Sequence, residues 1–137
     1  MPNPTIIHPE SAKIRHYLAI AQFFIDIGQP EIYEIEPQFD REYVPDVYTR
    51  IDGVPIMVEI QRSHCSHRKM QGKVNGFVRT YLEGKHDAKT LWIVSNERYR
   101  LTVPEGFTVK QIFQDNQHDF QNRNSGYNRT QLLSNPS

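Results

Sequence analysis

The 137-residue chain has room for one domain around a single core and not for two. It holds no run of ~18 apolar residues, which excludes a membrane-spanning helix, and its single cysteine, Cys65, excludes an internal disulfide framework. The zero net charge conceals an asymmetry: residues 1–61 carry 4 Lys/Arg against 10 Asp/Glu, residues 62–110 carry 10 against 4, and residues 111–137 carry 2 against 2. Two readings fit that layout: a metal-binding sheet beside a phosphate-facing helix and loops, or two halves that neutralise each other across the fold.

Met1-Pro2-Asn3-Pro4 lacks the basic and apolar stretches of a signal peptide, so a cytoplasmic protein with no membrane partner is expected. From about Pro9 to Ile27, the residues Ile14, Tyr17, Leu18, Ala21, Phe24 and Ile25 recur at helical spacing, with Pro9 suited to the first turn and Gly28 to the stop. Ile20, Phe23 and Ile27 widen that stripe, which predicts a helix buried on much of its circumference. His16, at the stripe's edge, reads as a hydrogen-bonded core or edge histidine. Glu31 to Glu36 alternates polar and apolar, as a half-buried strand does, with Glu34 and Glu36 on one face. Gln38 to Val44 reads as a connection.

Asp52-Gly53 is a strong two-residue hairpin signal, because both residues tolerate the positive φ of a type I′ turn and β-branched and aromatic runs flank them. That turn sets the register: Ile51 faces Val54, Tyr48 faces Met57 and Asp46 faces Glu59. Directly opposed residues project to the same side of a sheet, so two carboxylates are expected on one face while Val47, Thr49, Ile51, Val54, Ile56, Val58 and Ile60 fill the other. Opposed like charges are unfavourable, and a divalent metal between them is the economical offset. Gln61, two residues beyond Glu59, points to the same side.

His64, Cys65 and His67 follow, but one Cys and two close His fall short of a four-ligand zinc pattern. A helix capped by Ser66 and running to about Glu83, stopped by Gly84, is the better reading. Its stripe is Met70, Val74, Phe77, Val78, Tyr81 and Leu82. Gly72 and Gly76 in its interior cost roughly 1 kcal/mol each relative to Ala, which fits close approach by another group. Lys73 falls on the same stripe, where it either snorkels outward along its stem or reaches the carboxylates. Thr90 to Val94 reads as a central strand parallel to its predecessor, Glu97 to Pro104 as a loop or single helical turn, and Phe107 to Phe113 as an edge strand. From residue 114 to 137 the composition turns to Asn, Gln and Ser, which predicts a polar, flexible tail after a domain of residues 1–113.

Pro45-Asp46, then Glu59-Ile60-Gln61 across a hairpin, resembles the PD-(D/E)xK nuclease superfamily, with Gln61 where the usual Lys stands. Glu59-Ile60-Gln61-Arg62-Ser63, Arg79-Thr80-Tyr81 and Leu91-Trp92-Ile93-Val94 are similar to the CoiA-like competence nucleases. The Pro-Asp hairpin, helical Lys73 and helical Tyr81 are similar to the replication-relaxation family of mobile elements, although this chain has no room for that family's winged-helix segment. The resemblance implies an α/β fold with a restriction-endonuclease-like α-β-β-β-α-β core and mixed central sheet. It further implies a Mg²⁺- or Mn²⁺-dependent DNA endonuclease of a phage, plasmid or other mobile element. Asp46, Glu59 and the Ile60 carbonyl would hold the ion, joined by Glu36, or failing it Glu34, though a solvated strand face is the competing reading for both. Gln61 offers only neutral hydrogen bonds, so Lys73 is the candidate for the missing charge. Arg62, Arg68, Lys69, Arg79, Arg98 and Arg100 are the candidate nucleic-acid contacts, and a homodimer or a protein partner is compatible with the chain. Two other classes compete: a DNA-binding replication-accessory protein without turnover, and a protein–protein interaction module or inhibitor.

Overall fold

The computed structural model describes residues 7–114 and 130–133. Helix α1 (Ile7–Asp26) leads into strand β1 (Tyr33–Ile35), the hairpin β2 (Val47–Ile51) and β3 (Val54–Ile60), and helix α2 (His67–Leu82). Strands β4 (Thr90–Ser95), β5 (Thr108–Gln114) and β6 (Thr130–Leu133) complete one sheet ordered β1-β2-β3-β4-β5-β6. The β1–β2 and β2–β3 pairs are antiparallel, β3–β4 and β4–β5 parallel, and β5–β6 antiparallel, so the protein is α/β with a mixed sheet. No helix among the described residues is long and apolar enough to cross a membrane.

Asp52 and Gly53 both take positive φ, 52° and 79°, and the register is the one the turn dictates, with Ile51 opposite Val54, Tyr48 opposite Met57 and Val47 opposite Val58. Strand alternation then sends side chains to two separate layers. Val47, Ile56, Val58 and Ile60 pack with Val94 and Ile112 under Ile20 and Phe23 of α1. Met57, Leu91, Ile93 and Val109 pack under Met70, Val74 and Phe77 of α2. Full burial of each such side chain stabilises the fold by about 1.5–3 kcal/mol.

Both helix ends follow their chemistry. Ser66 caps α2, accepting the Lys69 N–H at 3.1 Å, and Gly84 closes it at φ +78°. Gly28 closes α1 at φ +94°. Three expectations are corrected. On α1 the widening residues Ile20 and Phe23 face the sheet, while Ile14, Leu18 and Ile25 face outward. Leu82 of α2 is likewise exposed, since in the last turn of the helix it is Thr80 that is buried. Strand β5 is not an edge, since Thr130–Leu133, placed by the sequence in a tail, pairs beside it. The rest of that tail lies outside the described residues.

Candidate functional site

The carboxyl end of β3 and the segment after it, the residue before β2, the first half of α1 and the second turn of α2 converge on one cleft of about 460 Å³, a size suited to a small ligand or a phosphate group. Asp46, Ile60, Gln61 and Lys73 line it, with His16, Arg15 and Ala12 from α1 and Arg62 and Ser63 from the segment after β3.

Asp46 does not simply oppose Glu59. The regular ladder ends at Val47–Val58, and the Asp46 N–H also turns onto the Val58 carbonyl at 3.1 Å, setting an extra residue against Val58 as in a β-bulge. That bulge re-aims the side chain. One carboxylate oxygen, Oδ2, accepts the Ile60 N–H at 2.7 Å, replacing a backbone acceptor at the end of the ladder. The other, Oδ1, lies 3.0 Å from Nε2 of His16.

Glu36 arrives by a second local departure. Its φ of +49° is the left-handed region, disfavoured for a residue with a Cβ, and the chain leaves β1 there. Glu36 and Glu34 therefore do not share a face. Glu34 lines a groove with Phe39 and Tyr48 on the α2 side, whereas Glu36 turns to α1, accepting the Tyr17 hydroxyl at 2.7 Å. The Glu36 N–H donates to the Asp46 carbonyl at 2.8 Å, which ties the two acids together through the backbone.

His16, Glu36 and Asp46 present ligand atoms all within 4.8 Å of one another, the one such cluster of three metal-ligating side chains among the described residues. Ligands ~2.1 Å from a common ion and at right angles to each other stand about 3 Å apart, which is the spacing of His16 Nε2 and Asp46 Oδ1. Neutral imidazole and carboxylate oxygens together are a competent donor set for a divalent ion. Glu59 is not in this cluster, although the charge of Asp46 acts on its carboxyl. The sequence reading weighs His16 as a hydrogen-bonded core or edge histidine against a catalytic one, and does not count it among the metal ligands. Its signal was present: it falls four residues before Ile20, on the side of α1 that the sheet covers.

Glu59 is 3% exposed and sits under α2. Burial, and then the charge of Asp46, push its carboxyl up to about 8, with Lys73 opposing the shift. Lys73 Nζ stands 3.5 Å from Glu59 Oε1 and 3.3 Å from Gln61 Oε1, so of its two sequence readings the inward one is the geometry adopted. Gln61 is steered by its amide, which donates to the Ser63 carbonyl at 3.2 Å. The ring of Tyr43 packs on Gly76, where a Cβ would stand 2.8 Å from the ring. Gly76 thus makes room for an aromatic ring, while Gly72 faces open space. The buried Tyr43 hydroxyl lies toward the Glu59 carboxyl, and burial first and that carboxyl second raise its pKa.

The basic candidates divide. Arg62, Arg68, Lys69, Arg98 and Arg100 are exposed and join no ion pair among the described residues. Arg62 lines the cleft, and His64 bonds Glu97 at 3.0 Å while His67 accepts the Arg100 N–H at 3.2 Å, which holds the β4–β5 loop with Arg98 and Arg100 beside the start of α2 with Arg68 and Lys69. Those contacts also give His64 and His67 separate partners. Arg79 lies elsewhere: it bonds Asp40 at 2.8 Å and Glu83 at 2.9 Å near the other end of α2, so its guanidinium is drawn away from the cleft.

Comparison with protein-family models, with curated proteins and with solved structures finds no match for this chain.

Proposed function

We propose that the protein is a metal-dependent nuclease of the PD-(D/E)xK type, with a restriction-endonuclease-like core, hydrolysing phosphodiester bonds in DNA. The observation that carries the reading is the convergence of Asp46, Gln61 and Lys73 on one cleft whose rim also holds His16 and Glu36. In this proposal His16, Glu36 and Asp46 hold the ion, and Glu59, set by the sequence among the ligands with the Ile60 carbonyl, instead anchors Lys73. When bound, a divalent ion polarises the scissile phosphate and lowers the pKa of a coordinated water. Lys73 faces the same cleft and stabilises the negative charge that develops on phosphorus oxygens, while Gln61 orients by neutral hydrogen bonds. The imidazole ligand favours Mn²⁺ over Mg²⁺, since Mg²⁺ prefers an all-oxygen shell. Arg62, Arg68, Lys69, Arg98 and Arg100 meet the flanking phosphates.

The decisive experiment incubates single- and double-stranded DNA with Mn²⁺ and with Mg²⁺, using Asp46→Ala as control. Cleavage that Asp46→Ala abolishes is the expected outcome. DNA binding without cleavage in either metal selects the second reading, a binding protein without turnover, which the five exposed cations support on their own. Neither binding nor cleavage at low salt overturns both.

A further inference from the structure

Between β4 and β5 the segment 98–103 belongs to no strand, yet it alternates as a strand does. Arg98, Arg100 and Thr102 are exposed, while Tyr99 is buried and Leu101 and Val103 pack against the core under α2. A segment outside the sheet has to find other partners for its backbone N–H and C=O groups, and here side chains supply them. The amide of buried Gln111, on β5, meets both groups of Tyr99, accepting its N–H and donating to its carbonyl, each at 2.8 Å. The amide of Gln71, on α2, does the same for Thr102, accepting its N–H at 2.8 Å and donating to its carbonyl at 2.9 Å. Each glutamine stands in for a neighbouring strand, since its amide carries an acceptor beside its donors. His67 accepts the Arg100 N–H, and Glu97, at the start of the segment, accepts the Cys65 N–H at 3.3 Å. The repeats match: from His67 to Gln71 the helix rises about 6 Å, and from Arg100 to Thr102 an extended chain advances about 6.6 Å. What these bonds hold out to solvent is two arginines on one side of the segment, neither in an ion pair among the described residues.

We propose that residues 98–103 form a pre-set arm that grips the phosphates of nucleic acid beyond the cleft, with Gln71 as the residue that positions it. The inference rests on the DNA-binding part of the proposed function and not on cleavage. Helical geometry lays out the path. At about 100° per residue, His67 and Gln71 fall on one flank of the buried stripe of Met70, Val74 and Phe77, and Lys73, which lines the cleft, falls on the other. Arg68 and Lys69 lie between these flanks, on the outer side of the first turn. The cations therefore run as a belt from the cleft, over the amino end of α2, to the arm, and the helix dipole at that end also favours anions. Charges repeated along an extended segment suit a nucleic-acid strand, which carries one negative charge at every nucleotide. A flexible basic loop would lose much of its freedom on meeting phosphates. Here Gln111 and Gln71 fix the backbone beforehand, so the arginines bind with less entropy to lose. The Gln71 amide is turned to Thr102, so the residue acts through the arm.

The test is fluorescence anisotropy with the full-length chain and labelled single-stranded and duplex DNA, without metal so that nothing is cut. A double-mutant cycle compares the parent, Gln71→Leu, the Arg98→Ala/Arg100→Ala protein and the protein with all of these changes. Gln71→Leu keeps the side chain's bulk and the protein's charge and removes only the amide. It should weaken binding about ten-fold while both arginines are present and have no effect once they are absent, because the arm then has nothing to present. Gln71→Ala, which gives up bulk for helix propensity, should behave alike. The Arg98→Ala/Arg100→Ala protein should lower the slope of log affinity against log salt by about 2. Loss of the same factor in both backgrounds would mean that Gln71 acts on the fold alone, and full affinity in Gln71→Leu would mean that the arm needs no positioning. Either result overturns the inference and leaves DNA binding intact. A parent that binds neither DNA at low salt overturns it together with the reading on which it rests.

Discussion

The two ends of α2 handle charge in opposite ways. At the carboxyl end, Arg79 and Lys85 converge on Asp40, with Glu83 completing the network, and nearby Arg50 bonds Asp87 at 2.7 Å. Asp40, joining the 38–44 connection to the helix, is held well below the usual carboxylate range by Arg79 and Lys85. At the amino end, five cations are exposed without ion pairs among the described residues, while the buried Glu59 carboxyl is raised by burial and has Lys73 beside it. The first end uses charge to fix a loop. The second leaves five cations without ion pairs among the described residues, which under the proposed function are the ones that meet phosphates.

The sharpest way to break this contrast is to remove what makes the amino end a site. Asp46→Ala should abolish cleavage, a loss of roughly a thousand-fold or more given the several kcal/mol that metal charge stabilisation contributes. Calorimetric titration with Mn²⁺ checks the ligand set: His16→Ala should weaken binding while Glu59→Gln should not. Equal loss from both would return Glu59 to the ligand shell.

Next in size is the charge at the cleft itself. Lys73→Ala should lower the rate by about 100–1,000-fold with Mn²⁺ affinity nearly intact, and Gln61→Ala should cost less. Single-turnover kinetics on both variants would show the reverse order if the amide carries the third role alone.

The two ends should also respond oppositely to pH. A carboxyl raised from its ordinary 4.5 to about 8 binds its proton more tightly in the folded state, so the stability it contributes is complete below pH 4.5 and is lost as pH rises toward 8. Asp40 is depressed, so its contribution is present above the ordinary carboxylate pKa and is lost as acid titrates the folded group. Denaturant melts of the metal-free protein should therefore show Glu59→Gln gaining on the parent as pH goes from 5 to 8, and Asp40→Asn losing most at neutral pH. A Glu59→Gln difference that is flat across that range would mean the buried carboxyl titrates normally.

The smallest effects separate the cations one by one. Arg68→Ala and Lys69→Ala should each weaken DNA binding and lower the slope of log affinity against log salt by about 1. Arg79→Ala should leave that slope alone and lower the melting temperature instead. Matching salt slopes for Arg68→Ala and Arg79→Ala would erase the distinction between the two ends.

Local chemistry in the chain was enough for the elements and much of their arrangement. Asp52-Gly53 tolerates the φ values that set the hairpin register, Ser66 and Gly84 bracket α2, and the apolar run of Leu91 to Val94 marks a strand buried on both faces. Lys73 could be placed on the sheet-facing side of α2 by counting residues, because helical spacing is fixed by backbone geometry. Three features needed the tertiary structure. The bulge at Asp46 and the positive φ at Glu36 break the alternation from which faces are counted, so neither acid points where a regular strand would send it. Arg79 looks identical in sequence to a phosphate-binding arginine until the fold brings Asp40 to it from 39 residues away. And α1 carries apolar residues on two opposite sides, so periodicity left its inward face open; the sheet chose Ile20 and Phe23, and thereby turned His16 toward Asp46 and left Ile14, Leu18 and Ile25 outside.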